Sequence, residues 1–380
     1  MNLLRLALGL ALGLLCCQGY TRGCLSEKDY SFLKVGPITS DRPRLVLTDE
    51  SMPDIVRRLA NSGTLVVTDP FNAALLKDLG FVFVVRVNTP EEVAALMDHP
   101  LYPNAKRVIC VGGCGALDVG RAAAVGKEEV ILIPTILSNS CISVNRSVLG
   151  LGAESFSYRT VMPQWVIVPI RDMLVGGDKA RVYWSQGGFG DLFSNISAAI
   201  EVAFQSGSLT LADVQALPPP FVFDALDWVL HDFNGYDQKT LVQLAKYLHE
   251  SSLMVIEAGN VSLSAGAEHF MYHAFIQRNP HLRHGAASHG QLVAIGTLMA
   301  VKIFSDQIQD PSLYTKVRSV FGKLGLPITY TDLNHIGITP DMVVRSLKDV
   351  TYGPPSFIGS YVQSHDPTVL AETVFGNLIQ

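Results

Sequence analysis

Between residues 44 and 168, short apolar runs rich in valine, isoleucine and leucine recur with helical patterns between them. Leu45-Val46-Leu47, Thr64 to Val67, Val82 to Val85, Arg107 to Val111, Val130 to Ile133 and Trp165 to Val168 read as strands. Residues 51–62, 71–79 and 90–97 read as helices. Runs that are apolar without alternation have no face to offer water, so they predict a parallel sheet covered on both sides. After about residue 170 strand-like runs nearly vanish. Helical patterns then cover 189–206, 209–216, 221–232, 237–253, 262–278, 288–308, 310–324 and 339–349. The change predicts an α/β domain over 40–170 followed by an all-α domain over 171–380. Ligands of open α/β sheets bind outside the carboxyl ends of the strands, and the active site is expected there.

The chain's 380 residues, 48% hydrophobic and 17% charged, suit two domains with large buried cores. The net charge is −5 and no basic block occurs, which argues against a nucleic-acid partner. All six cysteines, Cys16, Cys17, Cys24, Cys110, Cys114 and Cys141, lie in the first 141 residues, and none forms a C-x-x-C pair. That pattern argues against a thiolate zinc site and predicts reduced, small buried thiols in a cytoplasmic protein. Residues 1–24 pull the other way. Arg5 and the apolar run Leu6 to Cys17 have the shape of a signal peptide, too short to span a bilayer. No clean A-x-A precedes Gln18 or Gly19, and a packed helix or an added upstream start fits the same residues.

The motif Gly112-Gly113-Cys114-Gly115-Ala-Leu-Asp118-Val-Gly-Arg121 follows a strand and opens a helix. Glycines there let the backbone approach a pyrophosphate, and the helix start offers free N–H groups. A glycine turn after a strand is equally often only a tight turn. The next strand ends in Pro134-Thr135-Ile-Leu-Ser138-Asn139-Ser140-Cys141, whose hydroxyls suit phosphate or ribose and equally suit a cap. Two such loops on neighbouring strands favour a dinucleotide.

In the second half, Gly187-Gly188-Phe189-Gly190-Asp191 is expected to open the first long helix, where Asp191 is either a metal ligand or a first-turn charge. Glu268-His269-Phe-Met-Tyr-His273 puts two histidines four apart on one helix face, and Ser288-His289-Gly290 precedes another long helix. Half of the ten histidines fall between 269 and 289, a concentration that core packing does not explain. One carboxylate and two imidazoles would leave a metal with an open position, as in catalytic sites.

Together these motifs resemble, in order and rough spacing, the family that joins glycerol dehydrogenases, iron-dependent alcohol dehydrogenases and dehydroquinate synthases. The resemblance covers about residues 44–380. The segments Gly190-Asp191-Leu-Phe-Ser194-Asn195 and Ser264-Ala-Gly-Ala-Glu-His269 are similar to the sn-glycerol-1-phosphate dehydrogenase branch in particular. The resemblance implies a Rossmann-like parallel-sheet domain followed by a helical, metal- and substrate-binding domain. It implies Asp191, His269 and His289 as ligands of zinc, nickel or iron. Gly112, Gly113, Cys114, Gly115 and Asp118 would face the pyrophosphate of NAD or NADP, with Thr135 and Ser138 beside the cofactor. His273 would contact substrate.

Departures from the family pattern bear on the substrate. The family has a third glycine where Cys114 stands, lysine where Arg121 stands, and a substrate-binding aspartate where Ser140 aligns. Ser140 can satisfy fewer hydroxyls than an aspartate, while Arg146 suits an anionic group. The implied activity is metal-assisted hydride transfer on a small polyol phosphate or related alcohol or ketone, in a homo-oligomer, with His273 relaying the proton. A cyclase similar to dehydroquinate synthase, or a non-catalytic metal-binding relative, are the alternatives.

Overall fold

The computed structural model describes residues 33–34, 36, 41–150, 155–284, 287–351 and 355–376. The signal-like segment and Cys16, Cys17 and Cys24 lie outside them. Two compact units form. Of the described residues, one takes those from 33 to 185 together with 236–257, and the other takes 186–235 and 258 onward.

The first unit is built on six parallel strands: β1 (Arg44–Thr48), β2 (Thr64–Thr68), β3 (Val82–Val84), β4 (Arg107–Gly112), β5 (Glu129–Pro134) and β8 (Trp165–Pro169). Their order in the sheet is β1-β8-β5-β4-β2-β3. Helices α1 (Met52–Leu59), α2 (Pro70–Ala73), α3 (Pro90–Met97), α4 (Cys114–Ala123) and α5 (Ile170–Val175) follow strands of this sheet. Every residue of β2 is buried, as is all but the first of β4 and β5, which is why they read as unbroken apolar runs. Met52, Ile55 and Val56 of α1 close one face over Val66, Ile109, Ile131 and Ile167. On the other face α4 lies so close that a Cβ on Gly120 would fall 2.4 Å from Cys110 Sγ.

Three features of this unit differ from the sequence expectation. The helix expected over 71–79 is a single capped turn, Pro70–Ala73, started by Asp69. An antiparallel hairpin of β6 (Arg146–Leu149) and β7 (Phe156–Arg159) stands where no strand was expected. Helix α9 (Gln238–Ala258) follows the change of texture in the sequence yet packs with the sheet unit. Its His249 Nδ1 lies 2.8 Å from Ser143 Oγ, and its Ser252 hydroxyl donates to the Ser140 carbonyl at 2.6 Å.

The second unit is helical among its described residues. It holds most of α6 (Asp178–Gln205), then α7 (Leu211–Ala216), α8 (Phe221–Asp232), α10 (Ala267–Arg278) and α11 (His289–Ile308). It continues with α12 (Ser312–Leu324), α13 (Tyr330–His335), α14 (Pro340–Val350), α15 (Phe357–Val362) and α16 (Pro367–Phe375). Helix α11 is buried on nearly all sides, and α10, α12, α15 and α16 pack around it. No described helix is long and apolar enough to cross a membrane.

The expectation of reduced thiols fails at two positions. Cys114 and Cys141 form a disulfide, while Cys110 is free and buried, its thiol pushed up to about 12 by burial. The cysteines that bond stand on loops after neighbouring strands, an adjacency that the sheet creates and a reading of spacing alone does not show. The bond closes a sequence separation of 27 residues, for which loss of unfolded-chain entropy is worth about 3 kcal/mol. Urea unfolding with and without a dithiol reductant is expected to differ by that order in the wild type and not at all in Cys141→Ser. Equal stability of oxidised and reduced wild type would show that the bond carries no load.

Candidate metal centre

Asp191 stands in the interior of α6, a helix of 28 residues, and the expectation that residues 187–191 open a helix is corrected. Each glycine in a helix interior costs about 1 kcal/mol against alanine, so Gly187-Gly188-Phe189-Gly190 reads locally as a break. Packing overrides that preference. A Cβ on Gly190 would fall 2.1 Å from the Gly290 carbonyl oxygen, and one on Gly290 would fall 1.8 Å from the Gly187 carbonyl oxygen. The glycines therefore let α6 and α11 meet at backbone distance, and that approach sets Asp191 beside His289.

His289 is the first residue of α11 and is held there by a capping box. Ser288 Oγ accepts from Gln291 N at 3.3 Å, and Ser288 N donates to Gln291 Oε1 at 2.8 Å. Gln291 Nε2 also donates to Gln186 Oε1 on α6 at 2.9 Å, which ties the helix start to the Asp191 helix. His269 lies in the first turn of α10. That helix packs on α11 because a Cβ on Gly296 would fall 2.7 Å from Glu268 Cα.

The result is a cluster in which one ligand atom from each of Asp191, His269 and His289 lies within 4.8 Å of the others. Asp191 Oδ1 is 3.2 Å from His289 Nε2 and 3.7 Å from His269 Nε2. Atoms bound at about 2.1 Å to one tetrahedral ion stand about 3.4 Å apart, and the two distances from Asp191 Oδ1 match that spacing. The side chains are 9%, 15% and 29% exposed for Asp191, His269 and His289, so the cluster is closed on the protein side and open on the His289 side. That is the form of a site with a position left for a ligand. His273 stands one turn along α10 from His269. Tyr272 packs its ring against both His273 and His289, with centroids 5.1 and 4.4 Å apart.

Glu268 carried no role in the sequence reading. Its side chain is fully buried, and Oε1 lies 2.8 Å from His269 Nδ1 and accepts from Gly266 N at 2.6 Å. Desolvation pulls the His269 pKa down, but the hydrogen bond and charge of Glu268, with the charge of Asp191, outweigh it and the net displacement is upward. Glu201 on α6 is a second buried acid. Burial pushes it up to about 7, against donors from Phe357 N and Gln205, and the charge of Glu268 adds to the rise.

In the sheet unit the glycine loop joins β4 to α4. Gly112 takes φ +133°, closed to side chains, and a Cβ there would fall 2.2 Å from Asp69 Oδ2. Gly113 precedes α4 with no side-chain cap, which leaves the first N–H groups of the helix open to an anion. Thr135 N donates to the Gly112 carbonyl at 3.1 Å, and the disulfide joins Cys114 to Cys141, so the two loops are one assembly. Ser138 is buried within it and Ser140 begins a short 3-10 turn. Asp118, expected at this loop, has its side chain paired with Arg121. It is buried in α4 on Arg121, and burial pushes its carboxyl up to about 6 even with that guanidinium beside it. Arg121 in turn donates to the Cys141 carbonyl at 2.8 Å. Arg146 lies on the β6–β7 hairpin with its guanidinium on Ser157, Nε to Oγ at 3.2 Å.

Over 332 residues, 81% of this chain and 89% of the relative, the chain is 24% identical to the glycerol-1-phosphate dehydrogenase (NAD(P)+) of Archaeoglobus fulgidus. It is 26% identical to the same-named protein of Hyperthermus butylicus over 281 residues, 70% of this chain and 74% of that one. No protein-family model matches. Among solved structures, the glycerol dehydrogenase of Schizosaccharomyces pombe superposes with a TM-score of 0.60 at 18% identity, over 90% of this chain and 91% of that one. The chain therefore has the glycerol dehydrogenase fold, as the resemblance implied, and its sequence is similar to glycerol-1-phosphate dehydrogenases over most of its length.

In Gly190→Ala the helix-propensity gain of about 1 kcal/mol is opposed by contact with the Gly290 backbone, which cannot swing away. The clash wins. Urea unfolding is expected to show a net loss of roughly 2 kcal/mol, and zinc titration a loss of affinity. A variant more stable than wild type would show that the helices do not meet there.

Glu201 takes up a proton more readily folded than unfolded, because its folded pKa of about 7 lies above the ordinary 4.5. Folded protein then binds more protons between those values, so stability falls as pH rises from about 4.5 to 8. The fall from this group is on the order of 3 kcal/mol. Glu201→Gln is expected to remove that part of the slope, so that the variant gains on wild type in unfolding at pH 8 but not at pH 5. Parallel profiles would contradict the assignment.

Proposed function

We propose that this chain is a metal-dependent, NAD(P)-linked oxidoreductase acting on a small polyol phosphate or a related alcohol or ketone. The observation that carries the reading is the convergence of Asp191, His269 and His289 at the spacing of ligands around one ion. The similarity to glycerol-1-phosphate dehydrogenases supplies the substrate class.

When bound, a divalent metal supplies a Lewis acid at a substrate oxygen and the nicotinamide supplies the hydride acceptor or donor. Asp191, His269 and His289 would hold the ion, and zinc, nickel and iron all suit this donor set. The N–H groups that open α4 at Gly113, Cys114 and Gly115 would bind the pyrophosphate, with Thr135 and Ser138 beside it. His273 has its Nδ1 buried, so Nε2 is the nitrogen we assign to pass the substrate's hydroxyl proton. Asp118 acts at one remove, by holding Arg121 against the Cys141 carbonyl. Ser140 and Arg146 are assigned to substrate hydroxyl and anionic groups respectively.

The test follows the absorbance of reduced nicotinamide with zinc-, nickel- or iron-loaded protein and a panel of polyol phosphates and their ketones. Sustained conversion of cofactor is expected, whereas a cyclase would turn over substrate with no net change. His269→Ala is expected to lose the metal and about a thousandfold in rate, the worth of a Lewis acid of several kcal/mol. Stoichiometric metal retained by that variant would sink the ligand assignment. Ser140→Asp is expected to raise activity on the more hydroxylated members of the panel. An unchanged panel would remove position 140 from the substrate contacts.

A further inference from the structure

Buried carboxylates are kept in proteins when something compensates their charge. Glu268 is fully buried, and its second oxygen, Oε2, has no hydrogen-bond partner among the described residues. The ionic partner of Glu268 is His269, at 2.8 Å. That imidazole is itself aimed at Asp191 through Nε2. Backbone N–H of Gly266 and Nδ1–H of His269 converge on the same oxygen, Oε1. The side chain is further clamped by neighbours. A Cβ on Gly266 would fall 3.0 Å from Oε2, and one on Gly296 would fall 2.9 Å from Glu268 Cβ. The carboxylate thus has a fixed place and direction, one oxygen without a donor, and a single imidazole beside it that also faces Asp191.

We infer that Glu268 is the positioning residue of the metal centre: it fixes the tautomer of His269 and supplies the second negative charge that a divalent ion neutralises. The inference rests on the metal reading above and goes beyond it. An Nδ1–H bonded to a carboxylate leaves Nε2 with its lone pair directed outward and makes that nitrogen a stronger donor. Asp191 and Glu268 together carry the charge of one divalent cation, while both imidazoles bind as neutral groups. Without the ion, the unit holds a buried carboxylate with an unsatisfied oxygen. The same residue therefore favours metal binding and disfavours the metal-free fold, and this sign separates it from a residue that merely holds the structure together.

The experiment compares wild type, Glu268→Gln and Glu201→Gln. The dissociation constant of zinc ion is measured by competition with a chromogenic chelator, and the Tm of each metal-free protein is measured by calorimetry. Glu268→Gln is expected to weaken zinc 10- to 100-fold, the usual cost of losing such an outer partner, with a metal-free Tm equal to or above that of wild type. Glu201→Gln is expected to hold zinc within twofold of wild type, because its oxygens face Phe357 N and Gln205 rather than a ligand. Zinc binding by Glu268→Gln within twofold of wild type would overturn the inference. So would a loss of zinc accompanied by a fall in metal-free Tm, since that is the mark of a structural residue. Failure of the wild type to bind any of zinc, nickel or iron would instead overturn the metal reading itself, and this inference with it.

Discussion

The approach of α6 and α11 at backbone distance is the constraint on which the centre depends. Gly190 and Gly290 have no side chains to keep the helices apart, and a Cβ on either would run into a carbonyl of the other helix, that of Gly290 or of Gly187. The same device recurs one helix over, where Gly296 admits the backbone of Glu268 and Gly266 lies against Ala198 of α6. Three helices thus meet in a knot of glycines, and Asp191, His269 and His289 stand at its rim. Specific close packing, rather than apolar area, sets the geometry of the site.

How much of this was legible in the sequence follows from which interactions are local. Strands β2, β4, β5 and β8 were legible because burial on both faces writes an unbroken apolar run, and seven helices beyond 206 because their residues write a helical pattern. The ligand candidates were legible because their residue types and spacing are chemical. The glycine-rich start assigned at 187 was not, because helix propensity is a local quantity and the partner that reverses it, Gly290, is about a hundred residues away. Glu268 stood in plain view beside His269, yet its role is a matter of burial and direction that no spacing encodes. The β6–β7 hairpin escaped because Arg146–Leu149 and Phe156–Arg159 are four-residue strands mixing polar and apolar groups, too short to show a period.

The sheet unit shows a related logic with different chemistry. Its two loops are set side by side by the parallel pairing of β4 and β5, and three further links join them: the Thr135–Gly112 backbone bond, the Cys114–Cys141 disulfide, and Arg121 reaching the Cys141 carbonyl. Asp118 serves this arrangement from beneath by neutralising a guanidinium that is itself fully buried. A third glycine at 114 would leave the loop with more backbone freedom to lose on binding an anion. A cysteine bonded across to the next loop removes that freedom in advance. The departure from the glycine pattern is therefore compatible with a phosphate-binding loop, because anion recognition at a helix start uses backbone N–H groups and a cysteine keeps its own.

Charge brings the helical unit to a consistent account. Asp191, Glu268 and Glu201 lie in the packed region formed by α6, α10 and α11, and all three are buried. Glu201 is relieved by protonation near neutrality and by two donors. Asp191 has histidine nitrogens, and Glu268 has one imidazole N–H and one backbone N–H. Hydrogen bonds from neutral groups satisfy oxygens but do not cancel charge, and a low-dielectric interior magnifies what is left uncancelled. Protonating both histidines would supply the charge, but a protonated imidazole donates from both nitrogens and could not act as a ligand. A divalent cation held by Asp191, His269 and His289 would supply the same charge while leaving both rings neutral. An ion held there would be part of the packed core as well as of the chemistry.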